Sequence, residues 1–174
     1  MAIPSITLEA YHDAIEAYLK PLFPDIQYWG RYERAENLPM PAIFIQVTDF
    51  ENIGQDRDDG RLEMMMNINI HVMHHFKDAD ARMQVRLLAV SIAEKCHRQQ
   101  FSLPLSPAEV QDITHDPFDK NHETYEKMLI EMSQSGIFGS YDEADDFIAN
   151  QVFAGITPKI GADHEEDYLE VTDG

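Results

Sequence analysis

The chain has 174 residues, 44% of them hydrophobic, and a formal net charge of −19 from 13 Lys and Arg against 32 Asp and Glu. This length and apolar fraction predict one domain with a real core and exclude a wholly disordered chain. The acidity argues against binding to nucleic acid or to an anionic membrane, because both kinds of binding rely on basic residues. The sequence also lacks an apolar run long enough to span a bilayer and a signal-peptide pattern at Met1–Leu8, so we expect a protein made and kept in the cytoplasm.

A first helix is predicted from about Thr7 to Lys20, where apolar residues recur at helical spacing. Thr7 can cap its start, and Pro21 ends it because proline lacks the amide proton that a helix needs. A short strand is expected near Gln27–Glu33. The prolines in the segment that follows, Leu38–Pro41, impose an extended or turning conformation.

The strictest pattern in the chain is the alternation from Arg61 to Met73, which predicts a long, half-buried strand. Its apolar face carries Leu62, Met64, Met66, Ile68, Ile70 and Val72. The preceding run, Ala42–Phe50, places Ile43, Ile45 and Val47 on one face in the same way. Because Asp59-Gly60 tolerates the positive φ of a tight turn, the two runs are predicted to form a long β-hairpin.

A second helix is predicted to end at about Gln100, with Asp78 or Asp80 as its cap. Its apolar stripe consists of Val85, Leu88, Ala89, Ile92 and Cys96. A short strand is expected at Val110–Thr114. The next segment, Thr124–Gln134, is left open between strand and helix, since it alternates like a strand while its residue types favour a helix.

Together these elements predict an α+β fold, in which two helices pack on one face of a mainly antiparallel sheet that contains the long hairpin. Residues 1–140 are expected to form a single domain. Residues 141–174 hold ten acids and one base, which predicts an acidic C-terminal extension that acts as a solubilising segment or an interaction arm. Within this extension, Glu143–Asn150 fits a short helix, and Tyr168–Val171 either adds a strand or hangs free.

The sequence predicts no catalytic, cofactor or metal site. His71, His74 and His75 form the most metal-like cluster, but successive side chains of a strand point to opposite faces and cannot converge on one ion. The segment Asp56–Gly60 resembles a calcium loop in which the glycine falls one position too early. The single cysteine, Cys96, lies on an apolar stripe and is expected to be a buried structural thiol. Nucleophile elbows, P-loops and dinucleotide fingerprints are missing from the sequence.

The polar face of the long strand is the best candidate for an interface with another protein. It carries the adaptable side chains of Met65 and Met73 and the uncharged Asn67 and Asn69. The strand is also longer than the usual length of about five or six residues. We therefore expect it to project beyond its sheet and to offer an exposed edge that pairs with another chain.

The order of these elements resembles that of the tail-terminator and tail-completion proteins of long-tailed bacteriophages and their prophage copies. The resemblance covers about residues 7–139 and rests on the segments Tyr11–Phe23, Leu38–Val47, Leu62–Val72, Ala79–Gln100 and Tyr125–Gly139. It is a likeness of pattern, and the acidic residues Tyr141–Gly174 lie outside it.

The resemblance implies a structural protein without catalytic residues that forms a homo-oligomeric ring, by analogy a hexamer. Such a ring would cap the tail tube and contact head-completion proteins, first in the host bacterial cytoplasm and then in the virion tail. Two alternatives of other classes stay open. One is a small intracellular enzyme or ligand-binding protein with a pocket between sheet and helices, and the other is an acidic adaptor that mimics nucleic acid.

Overall fold

The computed structural model of the chain describes residues 6–32, 38–54, 61–75, 80–115 and 125–139, together with the backbone of 153–154 and 169–170. The chain divides into two compact units, Met1–Tyr141 and Asp142–Gly174. The helices and strands of the first unit are, in chain order, α1 (Leu8–Leu19), β1 (Tyr28–Gly30), β2 (Ala42–Asn52), β3 (Leu62–His75), α2 (Ala81–Cys96), β4 (Glu109–His115) and β5 (Tyr125–Phe138).

The five strands form one sheet in the order β1-β2-β3-β5-β4. Strand β1 runs parallel to β2, whereas the other three pairs are antiparallel. The predicted α+β fold is therefore confirmed, including the hairpin of β2 and β3, in which Ile45 lies opposite Ile70. The segment left open by its sequence is a strand, β5, because it pairs with β3 along the full length of both strands.

Both helices pack on the same face of the sheet, as predicted. The fully buried side chains that both helices and the three central strands contribute to this layer are Tyr11, Ile15, Leu19, Ile43, Ile45, Met66, Ile68, Ile70, Val72, Val85, Ala89, Ile92, Cys96 and Ile130. The alternation in β3 thus places its apolar set toward the helices, and its register in the sheet follows from that burial.

The helix starts differ in how they are capped. Thr7 accepts a hydrogen bond from the backbone N–H of Ala10 at 3.1 Å, so it caps α1 as predicted. Asp80 occupies the cap position of α2, but its backbone is left-handed, with φ of 61°, and its side chain makes no capping hydrogen bond. The predicted capping role of Asp80 is therefore wrong, and the alternative cap, Asp78, lies outside the described residues.

A buried hydrogen-bond network joins α1 to the sheet and to the loop after α2. The hydroxyl of Tyr11 donates to Oε1 of Gln134 at 2.8 Å. The Nε2 of Gln134 donates in turn to the carbonyl oxygens of Gln99 and Ser106, at 3.1 and 2.6 Å. Gln134 is only 2% exposed, so these bonds satisfy a polar group that would otherwise be costly to bury.

Strand β3 is an interior strand, which contradicts the prediction that it projects beyond the sheet. Every residue from Leu62 to His75 lies opposite a residue of β5, and β2 covers its other side from Met64 to Met73. The prediction failed because β5 is as long as β3, and this match in length cannot be seen from β3 alone.

The two edges of the sheet are modified in ways that oppose pairing with another strand. Beyond β1, the hydroxyl of Tyr32 accepts from the N–H of Val47 at 3.1 Å and donates to the carbonyl of the same residue at 3.3 Å. A register shift follows at Thr48. The opposite edge strand, β4, has a register shift between Val110 and Asp112 and exposes acidic side chains. Bulges and edge charges of this kind discourage edge-to-edge association.

In the second unit, Phe153–Ala154 (β6) pairs antiparallel with Leu169–Glu170 (β7). Of the two alternatives left open for Tyr168–Val171, the structure shows the strand, at Leu169–Glu170. Two other predicted features, the turn at Asp56–Gly60 and the short helix at Glu143–Asn150, lie outside the described residues.

Candidate interaction surface

The sheet face turned away from the helices, called the outer face here, is covered by neither of the two described helices. In β3 it consists of the odd-numbered residues, and their partners on the adjacent strands share it. Its central uncharged residues are Gln46, Met65, Asn67, Asn69, Leu129 and Ser135. All six side chains are partly exposed, so this face can contact another protein without unfolding.

Three of the four predicted interface residues lie on the open part of this face. Met65, Asn67 and Asn69 are partly exposed, and Asn67 donates from Nδ2 to Oε1 of Glu51 at 3.2 Å. Met73 also lies on the outer face but is only 8% exposed, because it packs in a small apolar cluster with Ala42 and other residues at that end of the sheet. Met73 is therefore not available to a partner, which corrects its predicted exposure.

The outer face is strongly acidic. One base, Lys127, lies on it opposite Met73, within the described strands. The register places six acids on it, from four strands: Asp49, Glu51, Glu63, Glu109, Asp112 and Glu131. A partner for this face should therefore combine apolar side chains with positive charge.

The outward side of α2 carries exposed apolar side chains and more bases than acids, in contrast to the acidic outer face. This surface was not predicted from the sequence. Met83, Leu87 and Val90 follow one another at helical spacing and are 60%, 60% and 53% exposed. They lie on the side of the helix opposite its buried stripe. Residues 82–98 also hold four of the 13 basic residues and one acid. The signal that could have revealed this surface is a second apolar stripe at i, i+4 and i+7 with arginines beside it.

Two arginines lie along this stripe. Arg82 donates from Nε to Oε1 of Glu126 at 2.8 Å, so part of its charge is balanced by a nearly buried carboxylate. Arg86, one turn later, donates from Nη1 to the carbonyl oxygen of Arg82 at 2.6 Å. The guanidinium of Arg86 therefore lies along the helix surface, next to the backbone of Arg82.

Comparison with models of known protein families found no match, and the search of curated proteins found none either. Function must therefore be inferred from these surfaces and from the groups buried beneath them.

The three histidines of the predicted metal-like cluster are not brought together. His71 and His75 lie on the outer face and His74 on the helix side, as the alternation of β3 requires. The ring of His75 packs against Tyr125, with centroids 5.3 Å apart. Among the described residues, no three side chains of His, Cys, Asp or Glu are grouped as metal ligands would be.

Cys96 is a buried thiol on the inner side of α2, where the sequence placed it. Burial raises the pKa of this thiol from 9.0 to about 12. It is therefore protonated at neutral pH, and a protonated thiol is a poor nucleophile.

A pocket of about 260 Å³ lies between the segment after α1, the sheet and α2. Its lining is mainly apolar, and the polar side chains that reach it belong to Asp25, His74 and Gln84. Its volume is below the range of roughly 300–1,000 Å³ that is usual for small-molecule sites. The pocket lies between the sheet and the helices, which is where a small enzyme or ligand-binding protein of this fold is expected to bind its ligand.

In the described part of the chain, the imidazole of His12 is buried without full hydrogen bonding. His12 is 2% exposed, and its Nε2 lies 3.0 Å from the hydroxyl of Tyr32. Its Nδ1 has no hydrogen-bond partner among the described residues. Burial, and secondarily the charge of Arg31, lower the pKa of this imidazole below its ordinary value of 6.5. His12 is therefore neutral in the folded protein at neutral pH.

Neither α1 nor α2 has the length and apolar character that a helix needs to cross a membrane, and no other helix occurs in the described part of the chain.

Proposed function

We propose that this chain is a structural protein that assembles with copies of itself through the outer face of its sheet. The observation that carries the proposal is the openness of that face, where Met65, Asn67 and Asn69 are partly exposed and no described helix packs. A sheet that buries one side against helices and leaves apolar side chains on the other has a surface suited to protein–protein contact.

The state of the sheet edges supports association through faces and not through edges. Tyr32 occupies the backbone groups of Val47 at one edge, and a bulge with acidic neighbours interrupts the other. Addition of a strand would require the loss of these contacts. Contact through the outer face leaves them intact.

For the form of the assembly we propose a closed ring of the kind implied by the resemblance to phage tail terminators, with six copies by analogy. Its partners would then be the tail tube and the head-completion proteins, first in the cytoplasm of the host bacterium and later in the virion. This role uses surfaces only and requires no catalytic residue, cofactor or metal.

Light scattering at high micromolar concentration tests the proposal directly. A hexamer should give a mass of about 120 kDa, six times the 20.0 kDa of one chain, and electron microscopy should show rings. A 20 kDa species at that concentration would refute self-assembly and would leave the acidic adaptor as the better hypothesis.

A matched pair of variants locates the interface. Met65→Arg places a large charged group on the outer face and should shift the protein toward the monomer. Leu22→Arg makes a similar change at an exposed site, 45% accessible, outside this face, and should leave the oligomer unchanged. Equal behaviour of the two variants would show that the interface lies elsewhere.

A further inference from the structure

In the first unit, the helix layer and the sheet layer each have an exposed surface that can contact another protein. The two surfaces lie on opposite sides of the unit. The inner stripe of α2, which includes Val85 and Ile92, packs toward the sheet. The outward stripe of Met83, Leu87 and Val90 therefore lies on one side of the two-layer unit, and the outer face lies on the other.

These two surfaces are complementary in charge. The outer face holds six acids and one base, whereas the exposed side chains of residues 80–98 include four bases (Arg82, Arg86, Lys95 and Arg98) and two acids (Asp80 and Glu94). In a chain with a net charge of −19, such a local excess of positive charge is the exception. Opposite potentials on two surfaces steer their association and disfavour the pairing of like surfaces.

They also match in their apolar content. Three side chains of α2 that are at least 53% exposed form a ridge, and the outer face offers partly exposed Met65 and Leu129 between polar side chains. Burial of these groups against each other would remove apolar area from water, and the bases of the helix surface would face carboxylates of the outer face. Sheet-to-sheet contact between two copies would instead bring two acidic surfaces together.

We infer that the outward side of α2 in one copy docks on the outer face of the sheet in the next copy. This inference rests on the proposed self-assembly and names both halves of its interface. Because the two halves are different surfaces, the contact is heterologous, or head-to-tail. A heterologous contact leaves one unused surface at each end, so copies add until rotation between neighbours closes a ring.

The test uses two full-length variants, each altered on one surface. The double variant Arg86→Glu, Leu87→Glu reverses the charge of the helix surface at exposed positions, while Met65→Arg alters the sheet surface. Each should be a folded 20 kDa monomer by light scattering and circular dichroism. An equimolar mixture should form a 40 kDa heterodimer, twice the mass of one chain, because each variant retains the surface that the other has lost and the two altered surfaces cannot extend the complex. The conservative double variant Arg86→Lys, Leu87→Met should assemble like the wild type.

Each other result has a distinct meaning. If the wild type is an oligomer and the helix-surface variant assembles equally well, α2 is not in the interface, and the inference is overturned while the proposed self-assembly stands. The same conclusion follows if both variants are monomers whose mixture stays at 20 kDa, since the unaltered helix surface of one variant then fails to bind the unaltered sheet surface of the other. If the wild type itself is a monomer, self-assembly and this inference both fail.

Discussion

Replacement of Ile68 by alanine is the most direct test of the β3 register, which defines the outer face of the sheet. Ile68 is fully buried near the middle of β3, between Val47 of β2 and Met132 of β5. Loss of three carbons at such a site costs about 2–5 kcal/mol, through lost burial and the cavity left behind. That is a large share of the roughly 5–15 kcal/mol that stabilises a typical domain.

The effect should be visible as a change in thermal midpoint. For a unit of this size each kcal/mol corresponds to roughly 4 °C, so Ile68→Ala should lower the midpoint by roughly 8–20 °C. Ile68→Asp should prevent folding, because it would bury a carboxylate that has no partner. Circular dichroism during heating, at one protein concentration for all variants, is a sufficient assay.

Leu129→Ala is the matched control, since Leu129 lies on the outer face of the adjacent strand and is only partly buried. We expect it to cost no more than about 1 kcal/mol. If Leu129→Ala were as damaging as Ile68→Ala, or if Ile68→Asp kept the wild-type midpoint, the assignment of the two sheet faces would be wrong.

Three further results are expected. Duplex DNA should not bind at physiological salt because of the net charge of −19; micromolar affinity in a gel shift would contradict this and would point to the basic residues of α2. Truncation after Gly139 should leave a cooperatively folding unit, since the five-stranded sheet and its buried core lie within residues 6–139; loss of the unfolding transition would show that the remaining residues are needed. The folded state should lose stability as pH falls through about 6.5, because the lowered pKa of His12 means that the unfolded chain binds the proton more readily. Denaturant titrations between pH 7.5 and 5.5 should show a smaller loss for His12→Gln than for the wild type, and equal losses would remove His12 as the cause.

The parts of the fold that could be predicted are those in which one segment carries its own evidence. Six alternations in β3 identify both the strand and its buried face, because period two has no other simple explanation. Thr7 could be named as a cap because the capping bond is local. The conformation of β5 could not be decided in this way, since its residue types favour a helix and its long pairing with β3 is non-local.

The candidate surface shows the same limit. Met65 and Met73 have equivalent positions in the alternation, yet one is partly exposed and the other is buried against Ala42 and Phe44, which lie about 30 residues earlier in the chain. Whether β3 is an edge or an interior strand likewise depends on β5. The outward stripe of α2 was present in the sequence but was overlooked, because the buried stripe already accounted for the helix.

The contact between Tyr32 and Val47 also bears on how the chain behaves while it is being made. Tyr32 and β1 both precede β2 in the sequence and are therefore available when β2 leaves the ribosome, whereas β3 follows later. One edge of the nascent β2 strand can thus form its hydrogen bonds with β1 and Tyr32, which are already synthesised. The other edge of β2 stays free until β3 pairs with it. This order of synthesis directs the growing sheet toward its own later strands and away from the unfinished chains of neighbouring ribosomes.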